Sequence, residues 1–197
     1  LENKKGVFIV IEGIDGSGKS TLSKNLYQAL QNKGMPSVLF SEPTTGQTGE
    51  HIRKFLKGEI SLSREEILEA FLKDREYSVN NNILPNLQKG SYVILDRYFY
   101  SMAAYQADSQ MTSEKILQMN LERNYPIPDK LFFLDIPVKY AFTRIQTRGN
   151  TKEKFESFSN LQIISENYKK ILPNFAIVLN ALWEPEKILG KVLSHIK

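Results

Sequence analysis

Five short apolar runs punctuate the chain: Val7–Ile11, Ser37–Phe40, Tyr92–Leu95, Leu131–Leu134 and Phe175–Leu179. Each is rich in Val, Ile, Leu or Phe, and most lack polar alternation, the pattern of strands covered on both faces. Longer amphipathic stretches lie between them and read as helices. Ser63 with Glu66 makes a capping-box signature that opens one such helix. Gly34-Met35-Pro36 closes the first helix, and Gly90 closes the one from Ser63. Strands alternating with helices predict an α/β fold, a parallel sheet with helices on both faces. No internal repeat, low-complexity tract or linker interrupts the 197 residues, which therefore read as one domain. The stretch Gly46–Ser61 is the one whose structure the pattern leaves open.

One motif sits where the first strand should meet the first helix. Gly13-Ile14-Asp15-Gly16-Ser17-Gly18-Lys19-Ser20 matches G-x-x-x-x-G-K-[ST] in full, directly after Val7–Ile11 and directly before the helical stretch Lys19–Gln31. Glycines let backbone N–H groups approach phosphate oxygens where a Cβ would obstruct them. The helix that follows offers its N-terminal N–H groups and positive dipole end to the anion. Lys19 supplies a point charge to the β- and γ-phosphates, and Ser20 offers a hydroxyl to Mg²⁺. A Gly-rich turn without a ligand has no need of Lys19 and Ser20. The loop says nucleoside triphosphate binding and no more. No Asn-Lys-x-Asp element that would read guanine follows (Asn32-Lys33 runs into Gly34-Met35), which argues against a GTPase.

Composition narrows the picture from the other side. There are no cysteines, which excludes disulfides and Cys-based zinc sites. The two histidines, His51 and His195, lie too far apart in sequence to suggest a metal cluster. No apolar run approaches the ~20 residues needed to cross a bilayer, and Leu1–Lys5 lacks the apolar stretch of a signal peptide. A cytoplasmic protein with no membrane partner is the expectation. The net charge of +4 reads either as surface solvation or as a taste for polyanions. Lys and Arg are dispersed, so a small phosphorylated ligand fits that charge as well as a nucleic acid, and no nucleic-acid-binding motif is present.

The strand Tyr92–Leu95 runs into Asp96-Arg97-Tyr98, then Ser101 and Ala104-Tyr105-Gln106. An Asp at the carboxyl end of a buried strand stands at the ligand-binding edge of an open α/β sheet, where it can hold Mg²⁺ or its water shell. Arg97 is placed to bridge two phosphates with its planar fork. Without a neighbouring phosphate loop the same pair would read as a surface turn with an ion pair. On the helix from Ser63, positions 71, 74, 75 and 78 share a face. From spacing alone Phe71 reads first as ordinary core packing. The alternative is an aromatic ring that stacks a base while Arg75, one turn on, grips a phosphate.

Taken together, these residues resemble thymidylate kinases from Phe8 to about Glu156, with a weaker echo beyond. The matching pieces are Glu12 through Thr21, Glu42-Pro43-Thr44, Phe71-Leu72-Lys73-Asp74-Arg75, Asp96-Arg97-Tyr98, Ser101, Ala104-Tyr105-Gln106, Arg144, Arg148 and Phe155-Glu156. The resemblance implies a three-layer P-loop NTPase fold with a five-stranded parallel sheet and a short lid at about residues 144–156. It implies ATP on Gly13, Asp15, Gly16, Ser17, Gly18, Lys19, Ser20 and Thr21. It implies dTMP on Asp15, Glu42, Pro43, Arg53, Phe71, Arg75, Arg97, Ser101, Tyr105 and Gln106. Within that set Phe71 stacks on thymine and Arg75 reads the base near the phosphate. Asp15 faces the 3′-hydroxyl, Arg97 lies between the phosphates, and Tyr105 crowds a ribose 2′-hydroxyl. Lys19, Arg97, Arg148 and Asp96 carry the transfer, with Ser20 and Asp96 at the metal. A homodimer is implied as well. Two departures stand out. Gly16 occupies a place in the loop where some relatives carry Arg, so the clamping charge falls to the lid, to Arg148 or Lys152, unless that basic cluster is merely a solvated helix end. Thr44-Thr45-Gly46 lacks an Arg found in some acceptor loops, which turns attention to Arg53.

Two nucleotides end to end, with Lys19 on one side and Arg97 with Arg75 on the other, is the picture that results. A deoxynucleoside kinase is the nearest alternative; it needs a carboxylate base for the 5′-hydroxyl, and Glu42 is the candidate. A non-catalytic nucleotide-binding regulator is the alternative of another class, at odds with the retained Arg97 and lid cations.

Overall fold

The computed structural model describes residues 6–148 and 154–196. Among these residues five strands form one parallel sheet in the order β2-β3-β1-β4-β5. They are β1 (Val7–Glu12), β2 (Ser37–Ser41), β3 (Tyr92–Asp96), β4 (Lys130–Asp135) and β5 (Ile177–Asn180). The helices are α1 (Lys19–Asn32), α2 (Gln47–Leu56), α3 (Arg64–Tyr77), α4 (Leu84–Gln88), α5 (Phe99–Tyr105), α6 (Ser113–Leu121), α7 (Val138–Thr147), α8 (Phe158–Ile171) and α9 (Pro185–Leu193).

The uninterrupted apolar runs of β1 and β3 have the cause expected of them. Both lie in the sheet interior, where Ile9, Val10, Ile11, Val93, Ile94 and Leu95 have no exposure. β5 departs from that expectation. It is an edge strand that starts at Ile177 rather than Phe175, and Val178 is 58% exposed. A turn closed by the Ala176 N–H on the Pro173 carbonyl at 2.9 Å keeps Phe175 out of the ladder.

The capping box at Ser63 is complete. Its hydroxyl accepts from Glu66 N–H at 3.2 Å, and the Glu66 carboxylate accepts from Ser63 N–H at 2.7 Å. The run from Ser63 toward Gly90 is not one uniform helix. A π-helical segment, Ser78–Ile83, separates α3 from α4. It widens the ladder just ahead of Pro85, whose ring would otherwise press on the carbonyl four residues back. The stretch left open by the pattern holds α2. Gly49 there lies so close to Thr44 that an added Cβ would sit 1.9 Å from its carbonyl oxygen.

Register sets up the site. Ile11 pairs with Asp96, so β1 and β3 end at one level. β1 leads into the phosphate loop and β3 into Arg97, and β1 lies between β3 and β4, where the winding reverses. Both loops therefore open into the crevice beyond the carboxyl ends of the strands.

Candidate active site

The turn from β1 to α1 depends on two glycines for different reasons. Gly16 has φ +79°, and a Cβ there would lie 2.3 Å from the Ala141 carbonyl oxygen. Gly18 has open space around it but φ +97° at the N-cap of α1, so its need is conformational alone. Gly13 lies behind the loop against Leu134 and lines neither of the two cavities that meet there. Lys19 is buried, donates to the Ile14 carbonyl at 2.8 Å and has its Nζ 4.0 Å from Asp15. Burial, reinforced by the Arg97 charge, brings its pKa down to about 8.

Two cavities meet at this loop. The first, of about 470 Å³, is walled by residues 15–22, Arg97, Arg144 and Arg148, and at its far end by Leu182, Trp183 and Pro185. Asp15, Gly16, Ser17, Gly18, Lys19, Ser20 and Thr21 all line it. The second, of about 640 Å³, is lined by Asp15, Glu42, Pro43, Arg53, Phe71, Arg75, Arg97, Ser101, Tyr105 and Gln106, all ten residues expected at an acceptor. Asp15, Ser20 and Arg97 belong to both walls.

Arg97 stands at the junction with φ +71°, an uncommon conformation for a residue with a side chain, and its N–H bonds the Ile11 carbonyl at 3.0 Å. Its guanidinium donates to the Asp15 carboxylate and to Ser101 Oγ at 3.3 Å and lies 4.9 Å from the centroid of the Tyr105 ring. The Tyr105 hydroxyl accepts from Asp15 N–H and donates to Asp15 Oδ2, both at 2.9 Å. Burial pushes the Asp15 pKa up, but Arg97, Lys19 and the Tyr105 bond more than offset it, and the net shift is downward. Asp15 therefore stays ionised and fixes both cations beside it.

Asp96 Oδ2 accepts from the Ser20 hydroxyl at 2.7 Å, while Asp96 Oδ1 is buried with no hydrogen-bond partner. A hard cation suits such a pair, one carboxylate and one hydroxyl, with its other ligands drawn from phosphate and water.

The acceptor wall is stapled from α3. Asp74 accepts from Thr44 N–H at 2.7 Å and from the Thr44 and Thr48 hydroxyls at 2.6 Å each. Arg53 donates to the carbonyls of Pro43 and Thr44. Arg75 differs from the expected phosphate grip. Its Nε and Nη2 reach Glu42 Oε2 at 3.0 and 2.6 Å, and Nη1 reaches Asn120 Oδ1 at 2.6 Å. A fork so committed, on a side chain 1% exposed, belongs to the floor of the cavity beside Phe71 and Met102. Both of its bonds to Glu42, the residue cast as base for a nucleoside kinase, fall on Oε2, and Glu42 Oε1 is buried without a hydrogen-bond partner. Phe71 is half-buried and both packs on the core and lines the cavity.

Of the basic cluster, Arg144 lies in α7 and donates to the Gly16 carbonyl at 3.3 Å and the Ala181 carbonyl at 3.1 Å. Arg148, half-exposed at the C-cap of α7, lines the first cavity with a nitrogen 3.9 Å from Glu156. Lys152 and the lid segment Gly149-Asn150-Thr151 lie outside the described residues.

Several contributors carry weak signals in the sequence. Met102, Leu56 and Phe155 line the second cavity, with Phe155 edge-on to Tyr105 at 5.8 Å. Asn120, a buried amide on α6, could have been suspected as a polar residue on an apolar helix face. Nothing marked Trp183 as a cavity wall.

The family model described as thymidylate kinase matches residues 11–191. The chain is 47% identical over 193 residues to a thymidylate kinase of Leptospira borgpetersenii, covering 98% of this chain and 94% of that one. It is 48% identical over 193 residues to one from Leptospira interrogans, with 98% and 95% covered. A protein of Pyrococcus horikoshii called a probable thymidylate kinase is 38% identical over 203 residues, with 98% and 97% covered.

Proposed function

The chain belongs to the thymidylate kinase family and transfers the γ-phosphoryl group of ATP to dTMP; we propose that the whole chain acts as one kinase domain in which Lys19, Arg97 and Arg148 carry that transfer. The observation that carries this assignment is the wall of Asp15, Ser20 and Arg97 shared by two cavities. ATP occupies the first cavity with its base toward Trp183 and its phosphates on the loop. dTMP occupies the second with its base toward Phe71, Arg75 and Gln106 and its phosphate toward Arg97 and Arg53. The transferring group then passes beside Arg97.

Alignment and charge neutralisation are the main demands of such a transfer. The acceptor phosphate is already ionised near neutral pH, with a second pKa of ~6 for a phosphate monoester, so no general base is required. Arg97 meets the charge with a guanidinium held beforehand by Asp15, Ser101 and the Tyr105 ring, which limits reorganisation during the reaction. Lys19 gains its proton's full value when phosphate oxygens replace the Ile14 carbonyl as its partner. Ser20 and Asp96 would hold Mg²⁺, which supplies charge neutralisation on the donor phosphates. Arg148 closes the donor side, and residues 144–156 act as the lid.

A homodimer and a cytoplasmic setting belong to the same proposal; among the described residues no helix is long and apolar enough to cross a membrane. Sedimentation velocity tests the dimer. The central test is ADP release with ATP and Mg²⁺ against a panel of dTMP, dUMP, dCMP, AMP and thymidine. dTMP should dominate. Turnover of thymidine above that of dTMP would overturn the acceptor assignment.

A further inference from the structure

Glu12 is a buried ionisable group that the proposed transfer leaves without a task. It ends β1 just ahead of the phosphate loop and has no exposure. Oε1 accepts from Tyr98 N–H at 2.7 Å and Ser101 N–H at 3.2 Å. Oε2 accepts from the Ser101 hydroxyl at 2.6 Å and the Tyr168 hydroxyl at 2.8 Å. Burial raises its pKa, and these donors together with the Arg97 charge only partly offset that, so the net shift is upward.

The donors come from two elements. Tyr98 and Ser101 form the N-cap and first turn of α5, the backbone that immediately follows Arg97. Tyr168 comes from α8, beyond the segment that carries Arg148 and Phe155. Arg97 and Glu12 also share a partner, since Ser101 Oγ accepts from Arg97 Nη1 at 3.3 Å and donates to Glu12. Arg97 is thus fixed at both ends. Its backbone, in the left-handed region, runs into a turn held by Glu12 Oε1, and its guanidinium touches a hydroxyl held by Glu12 Oε2. Such a conformation persists only where the surroundings over-determine it.

We infer that Glu12, oriented by the Tyr168 hydroxyl, is a positioning residue that sets the Arg97 guanidinium at the junction of the two cavities. The inference rests on the proposed role of Arg97 in the transfer. Tyr168 offers a probe, because its ring packs on Phe133 at 5.1 Å and near Tyr105 at 6.4 Å independently of its hydroxyl. Phe at this position keeps that packing and removes a hydroxyl that donates to Glu12 Oε2 and also lies 2.8 Å from Ser101 Oγ and 3.4 Å from the Gly13 carbonyl oxygen.

The experiment measures kcat, both KM values and thermal unfolding for Tyr168→Phe, Arg97→Ala and the double variant, using single turnovers with enzyme in excess where activity is low. Tyr168→Phe should lower kcat about ten-fold, the scale set by leaving a buried hydrogen-bonding group short of a partner, with KM for ATP within about two-fold of the parent. In the Arg97→Ala background the same change should alter residual turnover less than about two-fold, because the group it positions is gone. An equal factor in both backgrounds overturns the inference, as does a lowered Tm with kcat unchanged. Near-normal turnover in Arg97→Ala alone overturns the reading of Arg97 itself, and is thereby told apart from failure of the positioning argument. Glu12→Gln, which keeps the side chain's shape, should show the same non-additivity if Tyr168→Phe does not fold.

Discussion

Removing Arg75 should expose the energetics of the acceptor floor. Arg75 and Glu42 form an ion pair at 2.6 Å with side chains 1% and 4% exposed. Truncating one partner of such a pair costs about 3–5 kcal/mol, because the survivor is left buried and unpaired. For a domain of this length that corresponds to a fall in Tm of roughly 6–20 °C at neutral pH. The dependence on pH separates charge from packing. Burial raises the Glu42 pKa above its ordinary 4.5, and the Arg75 charge pulls it back. Without Arg75 the folded carboxyl should keep its proton to still higher pH than the unfolded one. The folded state then binds the extra proton, so its stability is fully present below the unfolded pKa. It is lost as pH rises toward the folded pKa, by up to about 1.4 kcal/mol per pH unit. Arg75→Ala should therefore come closest to the parent near the ordinary carboxylate pKa and fall progressively further behind as pH rises toward the raised folded value. Urea unfolding across about pH 5–8 reads this directly. Pairing Arg75→Met with Glu42→Gln should recover much of the loss, since no charge is stranded. A penalty under about 1 kcal/mol at neutral pH, or one flat with pH, refutes the reasoning.

Three further outcomes follow from the geometry. Gly16→Ala forces a Cβ against the Ala141 carbonyl at a positive φ; ATP binding, followed by the fluorescence of Trp183, the sole tryptophan, should be lost or weakened by at least about ten-fold. Asp74→Ala frees the Thr44–Thr48 loop from α3 and should raise KM for dTMP about ten-fold while sparing that for ATP; unchanged dTMP kinetics would count against the staple. The lowered pKa of Asp15 means its stabilising contribution is present above the unfolded value of 3.8 and is lost as pH falls through the folded one. Thermal unfolding of Asp15→Asn beside the parent should show a gap near neutrality that closes in acid, and a gap constant with pH would contradict it.

The order of strands and helices was legible because each central strand writes its own burial as an unbroken apolar run. The phosphate loop and Asp96-Arg97 were legible because contiguous residues carry their chemistry and a strand end predicts where they sit. The start of β5 was not, since Phe175 is as apolar as the strand it precedes and only the turn at Pro173 excludes it. The helix pattern suggested Phe71 and Arg75 but could not decide what they meet.

Sequence by itself determined the things that depend on neighbours along the chain: periodicity, caps, the glycines of the loop and the charge at its end. Tertiary structure decided which charges face one another. Arg75 meets Glu42, 33 residues away, and Glu12 meets Tyr168, 156 residues away. In a buried, low-dielectric interior an ionised group must find a partner, and the packing of the sheet and its helices fixes which one is within reach.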